Sequence, residues 1–139
     1  MNLKIIDFET AKDLKKLGFD WTPDPNECGQ YYTDDGQLIR NNEALQYKKG
    51  ISDFYLAPTQ AEVAKWLRDK HSLMIDVYPL GYRTKEYVWT VHDLQPWGGV
   101  HISDKEYRDF EQAESVGIKK AIEILKERQD DNTTGEKQN

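Results

Sequence analysis

Asp76 and His92 are the pair in this sequence whose types and positions could do acid–base chemistry. A carboxylate that orients an imidazole is the skeleton of general acid–base catalysis. Both fall in runs, 73–78 and 87–92, that alternate apolar and polar side chains. If the runs pair as an antiparallel hairpin around Gly81, Asp76 and His92 leave the same, more polar face, in direct or diagonal register. No motif places a Ser or Cys nucleophile beside them. The catalytic reading is therefore a small hydrolase or transferase using unmotified Asp and His residues, with His101 as a further candidate. Its competitor is a plain surface pair on a sheet.

A second cluster, APTQAEVAKWLRDKH at 57–71, brings Trp66, Arg68, Asp69 and His71 within six residues. Most of it reads as helix construction. Thr59 followed by Glu62 is a capping box, in which each side chain satisfies a backbone donor of the first turn. Val63, Ala64, Trp66 and Leu67 fall on one side of the helix. Arg68 and His71 remain. Arg68 is expected to pair with a carboxylate and His71 to help end the helix. The carboxylates Asp24, Asp34, Asp35 and Asp53 stand in turn contexts. Asp-Asp-Gly lacks the spaced ligands and terminal Glu of a calcium loop. Neither GxGxxG nor GxxxxGK[ST] occurs. Cys28 is alone, and the three histidines have no zinc spacing. The sequence thus nominates no catalytic residue, no metal ligand and no cofactor.

Aromatic side chains offer binding instead of catalysis. Tyr31, Tyr32, Tyr47, Tyr55, Tyr78, Tyr82, Trp89 and Trp97 concentrate in the β-rich part, and half or more are expected in the core. An exposed subset around Tyr78, Tyr82 and Trp97 would anchor a protein partner, with Arg68 and His92 as further binding candidates. A net charge of -6 repels phosphates, which disfavours generic nucleic-acid binding. The clusters Lys12, Lys15, Lys16 and Lys119, Lys120 leave a local basic patch as the alternative, a nucleic-acid-associated protein. No apolar run approaches the roughly 18 residues of a membrane span, and the N-terminus has no apolar signal core. The expected setting is cytoplasmic, away from membranes.

The elements that must position these residues are read from caps and periodicity. With 139 residues, one domain with one core is expected, and 12% aromatic content offsets a 37% hydrophobic fraction. Asp7 caps a first helix that stops at Gly18, whose left-handed conformation lets Phe19 fold back on Leu14. QYYTDDGQLIR reads as a hairpin, 41–53 as a loop, and Phe54 with Tyr55 as a short strand. The hairpin at about 72–92 has its apolar parity satisfied when Ile75 opposes Val91 and Val77 opposes Trp89. PWGGVHIS is a turn with a short edge strand. The last helix starts at Ser103 or at Asp109. Its apolar stripe runs from Phe110 through Ala113, Gly117, Ile118, Ala121, Ile122 and Ile124 to Leu125. Gly117 at mid-helix suggests the close approach of another backbone. Asp-Phe-Glu-x-Ala occurs at 7–11 and 109–113, and reads as two helix starts rather than as a repeat. The expected architecture is α+β: a single domain over 1–126 with three main helices packed on a small antiparallel sheet, followed by a disordered tail at 127–139.

Three segments carry a resemblance. FETAKDLKKLGF at 8–19, APTQ…WLR…H at 57–71 and FEQAESVGIKKAIEIL at 110–125 are similar, in the same order, to a family of small uncharacterised proteins encoded in prophages and other mobile elements of gut bacteria. The resemblance covers most of the chain apart from 20–54. It implies an accessory protein of a mobile element, and carries no site residue onto this sequence. Joined to the missing catalytic motifs and the surplus aromatics, it makes a non-enzymatic protein-binding module the expected function.

Overall fold

A computed structural model describes residues 4–19, 30–40, 54–81 and 85–137. The turn-rich stretch 20–29, the polar stretch 41–53 and Tyr82 lie outside the described residues. The architecture is α+β, with three helices and two three-stranded antiparallel sheets among the described residues. The strands form two sheets where the sequence suggests one, and the chain divides into two compact units, 1–62 and 63–139, each with its own sheet.

In the first unit, helix α1 (Phe8–Lys16) begins where the sequence places its cap: the Thr10 amide donates to Asp7 Oδ1 at 2.8 Å. It ends in a Schellman motif, with Gly18 at φ 84°. The Phe19 amide donates to the Leu14 carbonyl at 2.9 Å and Gly18 to Lys15 at 3.2 Å, which satisfies carbonyls the helix end leaves open. Strands β1 (Gln30–Thr33) and β2 (Leu38–Arg40) form the expected hairpin, with Tyr31 opposite Ile39. The loop Asp34-Asp35-Gly36 needs a left-handed third residue, and Gly36 supplies it at φ 87°. Strand β3 (Phe54–Leu56) pairs with the other side of β1. Helix α1 lies against β3, and Phe8 is wedged between Tyr32 and Tyr55 at ring distances of 5.5 and 5.6 Å. Thr59 and Glu62 close the capping box of helix α2 (Gln60–His71): the Glu62 amide donates to Thr59 Oγ1, and the Thr59 amide donates back to Glu62 Oε1 at 3.0 Å.

The second unit takes up the rest of α2, where Val63, Trp66 and Leu67 are buried. Strands β4 (Leu73–Pro79), β5 (Tyr87–Asp93) and β6 (Val100–Ile102) form its sheet in the order β4-β5-β6. The register is the one parity demands: Ile75 opposes Val91 and Val77 opposes Trp89. Helix α3 (Phe110–Lys137) packs on β4 and β5. Of its two possible starts the later one is used, because Asp109 Oδ1 accepts the Glu111 amide at 2.8 Å, while Ser103 bonds locally to the Lys105 carbonyl. Gly117 is buried against the sheet, but the groups approaching it are side chains, Ile75 and Trp89, rather than a backbone. The helix also continues through 127–137, where the sequence suggests a disordered tail. One cause is visible: Arg128, beyond the apolar stripe, is tied to the sheet. It donates to the His71 carbonyl at 2.9 Å and pairs with Asp93 at 2.6 Å.

His71 ends α2 as expected and stacks edge-on against Trp66 at 4.5 Å. Burial holds the imidazole below its usual pKa, assisted by the nearby charges of Arg128 and Lys70. Between the folded and unfolded pKa values the unfolded chain binds more protons. Stability from this site is therefore complete above about pH 6.5 and is lost as pH falls through the folded pKa. Thermal melts between pH 7.5 and 5 are expected to show a falling midpoint, and His71→Gln should flatten that fall. An unchanged slope in His71→Gln would show that the lability arises elsewhere.

Candidate binding face

Helix α3 covers one face of the β4-β5-β6 sheet, the face that carries Ile75, Trp89 and Val91. Pleating sends the alternate residues Asp76, Tyr78, Thr90, His92, Val100 and Ile102 to the opposite face. A chain of polar contacts crosses it. The Tyr78 hydroxyl donates to Thr90 Oγ1 at 2.9 Å, Thr90 Oγ1 lies 3.2 Å from His92 Nε2, and His92 Nε2 lies 3.3 Å from Asp76 Oδ2. Thr90 directly opposes Asp76, so the Asp76–His92 contact is the diagonal one. The sequence thus nominates Asp76 and His92 correctly as neighbours.

Their geometry argues against a catalytic triad. In a triad the nucleophile and the carboxylate engage different ring nitrogens, so that one can receive a proton while the other orients the ring. Here Thr90 and Asp76 both approach Nε2. The Asp76 and His92 side chains are also 42% and 31% exposed, open to water rather than enclosed. The arrangement holds the imidazole in place and presents it to solvent. Among the described residues, no group of three or more His, Cys, Asp or Glu side chains is placed to hold a metal ion.

The apolar part of this face lies on β6. Ser103 donates to Trp89 and Asp93 donates to Gly99, each at 2.9 Å. Hydrogen-bonded pairs alternate along an antiparallel ladder, so His101 turns its backbone groups toward β5 while Val100 and Ile102 turn theirs outward. Among the described residues, no strand pairs with the outer side of β6, which is the edge of its sheet. Its outward residues, Val100 and Ile102, are also 54% and 70% exposed.

No family model, curated protein or solved structure matches the chain. The site must accordingly be read from its geometry. Among the described residues, no helix is long and apolar enough to cross a membrane.

The remaining binding candidates are scattered. Trp97 is fully exposed at the third position of a turn closed by the Gly98 amide and the Gln95 carbonyl at 2.9 Å. With Pro96 second and Trp97 at φ 71°, this is a type II turn that has a tryptophan where glycine or asparagine is normal. Gly98 must be small, because a Cβ there would collide with the Asp93 carbonyl. Tyr78 stands at the opposite end of the hairpin. Its partner Val88 is five residues from Asp93, or about 17 Å along the strand. The structure thus does not join Tyr78 and Trp97 into one patch, and Tyr82 lies outside the described residues. Arg68 is on the exposed side of α2, 3.4 Å from Asp69, which also pairs with Lys65. It takes no part in the sheet face. Sequence reasoning treated Val100 and Ile102 only as a short edge strand. The signal that could have found them is V-x-I directly after a turn, with no residue of the strand suited to protecting an edge.

Proposed function

We propose that this protein is a non-enzymatic binding module, acting in the cytoplasm as an accessory of a mobile element, which takes an extended segment of a partner protein along the edge of β6. The observation that carries the reading is the outward pair Val100 and Ile102, exposed apolar residues whose backbone groups point away from β5, with no strand paired to that side among the described residues. Edge addition draws its affinity from main-chain hydrogen bonds and its selectivity from alternate side chains. The Trp97 turn lies directly before this edge. A tryptophan held in a left-handed conformation costs about 1–3 kcal/mol, a cost that binding by its exposed ring would explain. The resemblance of 57–71 and its flanking helices to mobile-element proteins supports the accessory role.

The test separates binding from folding. Purification of the tagged protein from its native host should recover one partner in near-stoichiometric amount. Val100→Pro removes an outward donor without touching the ladder to β5, and should abolish recovery while leaving the melting temperature within a few degrees. Trp97→Gly should raise stability by up to about 1 kcal/mol through relief of the strained turn, and at the same time weaken recovery. Recovery unaffected by both substitutions would overturn the proposal.

A further inference from the structure

We infer that the outer side of β6 pairs with the same edge of a second copy of this chain, in a weak two-fold dimer that covers the edge until the partner segment displaces it. The dimer rests on the same reading of β6 as the proposed binding role, and adds what occupies the edge in the partner's absence. The sequence around β6 differs from the rest of the chain. Across 94–102 (LQPWGGVHI) no Asp, Glu, Lys or Arg occurs, although 32% of the whole chain is charged. In the same stretch Leu94, Trp97, Val100 and Ile102 are exposed. A chain of net charge -6 resists association with itself wherever acidic side chains meet. This uncharged stretch lets two copies touch without like charges in contact.

The edge is self-complementary. Val100 and Ile102 both turn N–H and C=O outward, and His101 between them turns its own toward β5. An antiparallel pairing about a two-fold axis at His101 sets Val100 of one copy opposite Ile102 of the other, and the reverse. Both become hydrogen-bonded pairs, so every outward backbone group of the strand is used. A two-residue slip in either direction would set one of them against Gly98 or Asp104, which lie beyond the strand. The pleat keeps Val100 and Ile102 of both copies on the face away from α3, where they meet across the axis as β-branched apolar pairs. Such an isologous contact closes on itself and joins two three-stranded sheets into one. Trp97 alone exposes about 200 Å². The apolar stretch as a whole offers a patch of roughly a few hundred Å², typical of an interaction site on a monomer. That is below the roughly 800 Å² per partner of a stable interface, so the dimer is weak and exchangeable.

Sedimentation velocity of the purified chain should show its mass rising from 16.3 kDa toward twice that value, with half-association near about 0.1 mM. Val100→Pro removes an outward donor, and Ile102→Lys sets ammonium groups beside the axis. Each should keep the chain monomeric up to about 1 mM and leave the melting temperature within a few degrees. In a Cys28→Ser background, His101→Cys should form an intermolecular disulfide under mild oxidation, because the two copies of this residue face each other about 4.5 Å apart at Cα. Val100→Cys, whose copies are not opposite one another, should cross-link about tenfold more slowly or not at all. A monomer at 1 mM, association indifferent to both substitutions, or equal cross-linking at the two positions would each overturn the dimer. Failure here is distinct from failure of the binding role. A monomeric chain that still recovers a partner through Val100 overturns only the dimer. A dimer sensitive to both substitutions, with no partner recovered from the host, overturns only the binding role.

Discussion

Gly117→Leu is expected to destabilise the protein by about 3 kcal/mol, measured as a lower urea midpoint with an unchanged slope. Helix α3 seats on the sheet at this residue. A Cβ added there would lie 3.0 Å from Ile75 Cγ2 and 3.3 Å from Trp89 Cβ, tighter than ordinary packing tolerates. Neither neighbour is the loose end of a long side chain. Ile75 is held by its β-branch, and the Trp89 Cβ by the strand itself. Alanine brings a compensating gain of about 1 kcal/mol in helix propensity, so Gly117→Ala should fall much closer to neutral. Leucine adds three further heavy atoms to the same contact and forces the helix off the sheet. The near-ultraviolet signal of Trp89 should change with it. If Gly117→Leu unfolds at the wild-type midpoint, α3 does not seat on this glycine.

Arg128→Ala is expected to cost about 2–3 kcal/mol, the second largest effect. The guanidinium joins three parts of the second unit. It belongs to α3, donates to the Asp93 carboxylate at the end of β5 at 2.6 Å, and donates to the His71 carbonyl at the end of α2 at 2.9 Å. The two side chains of the pair are 22% and 15% exposed, so solvent repairs the loss only in part. Burial alone would raise the Asp93 pKa, but the hydrogen bond from Arg128, with help from the Gln95 amide, outweighs it and holds the carboxyl below its usual range. Stability from Asp93 is therefore present above about pH 4 and is lost as pH falls through its folded pKa. Arg128→Ala should remove most of that acid-dependent part, and a double-mutant cycle with Asp93→Asn should show coupling of at least about 1 kcal/mol. Coupling near zero would show that the two residues contribute independently.

Most of the local construction was legible in the sequence. Asp7, the Gly18 stop, the Thr59–Glu62 box and the Asp-Asp-Gly hairpin each satisfy backbone groups within a few residues of themselves, so short windows contain the whole cause. The register of β4 and β5 was legible for a related reason: a one-residue slip would turn Trp89 and Val91 from the covered face to the open one. The start of α3 was ambiguous because Ser103 and Asp109 both carry capping chemistry, and local sequence does not say which amides are free. The candidate site was half legible. Asp76 and His92 were found as neighbours, but their shared approach to Nε2 depends on side-chain placement across the sheet. The separation of Tyr78 from Trp97 depends on which end of the hairpin each occupies.

By itself, then, the sequence determined the caps of α1, the start of α2 and the turn of the first hairpin, which residues form the apolar parity of the main hairpin, and that no standard catalytic or metal motif is present. These follow from hydrogen bonds and side-chain periods that act over two to five residues. The tertiary structure decided the rest: that the strands form two sheets, that α3 covers one face of the second sheet, and that, among the described residues, Val100 and Ile102 lie on an edge no strand covers and the Trp89 indole N–H has no acceptor. It also decided that Arg128 reaches His71, 57 residues away. Such contacts are set by packing between elements remote in the chain, where burial and orientation depend on every neighbour at once.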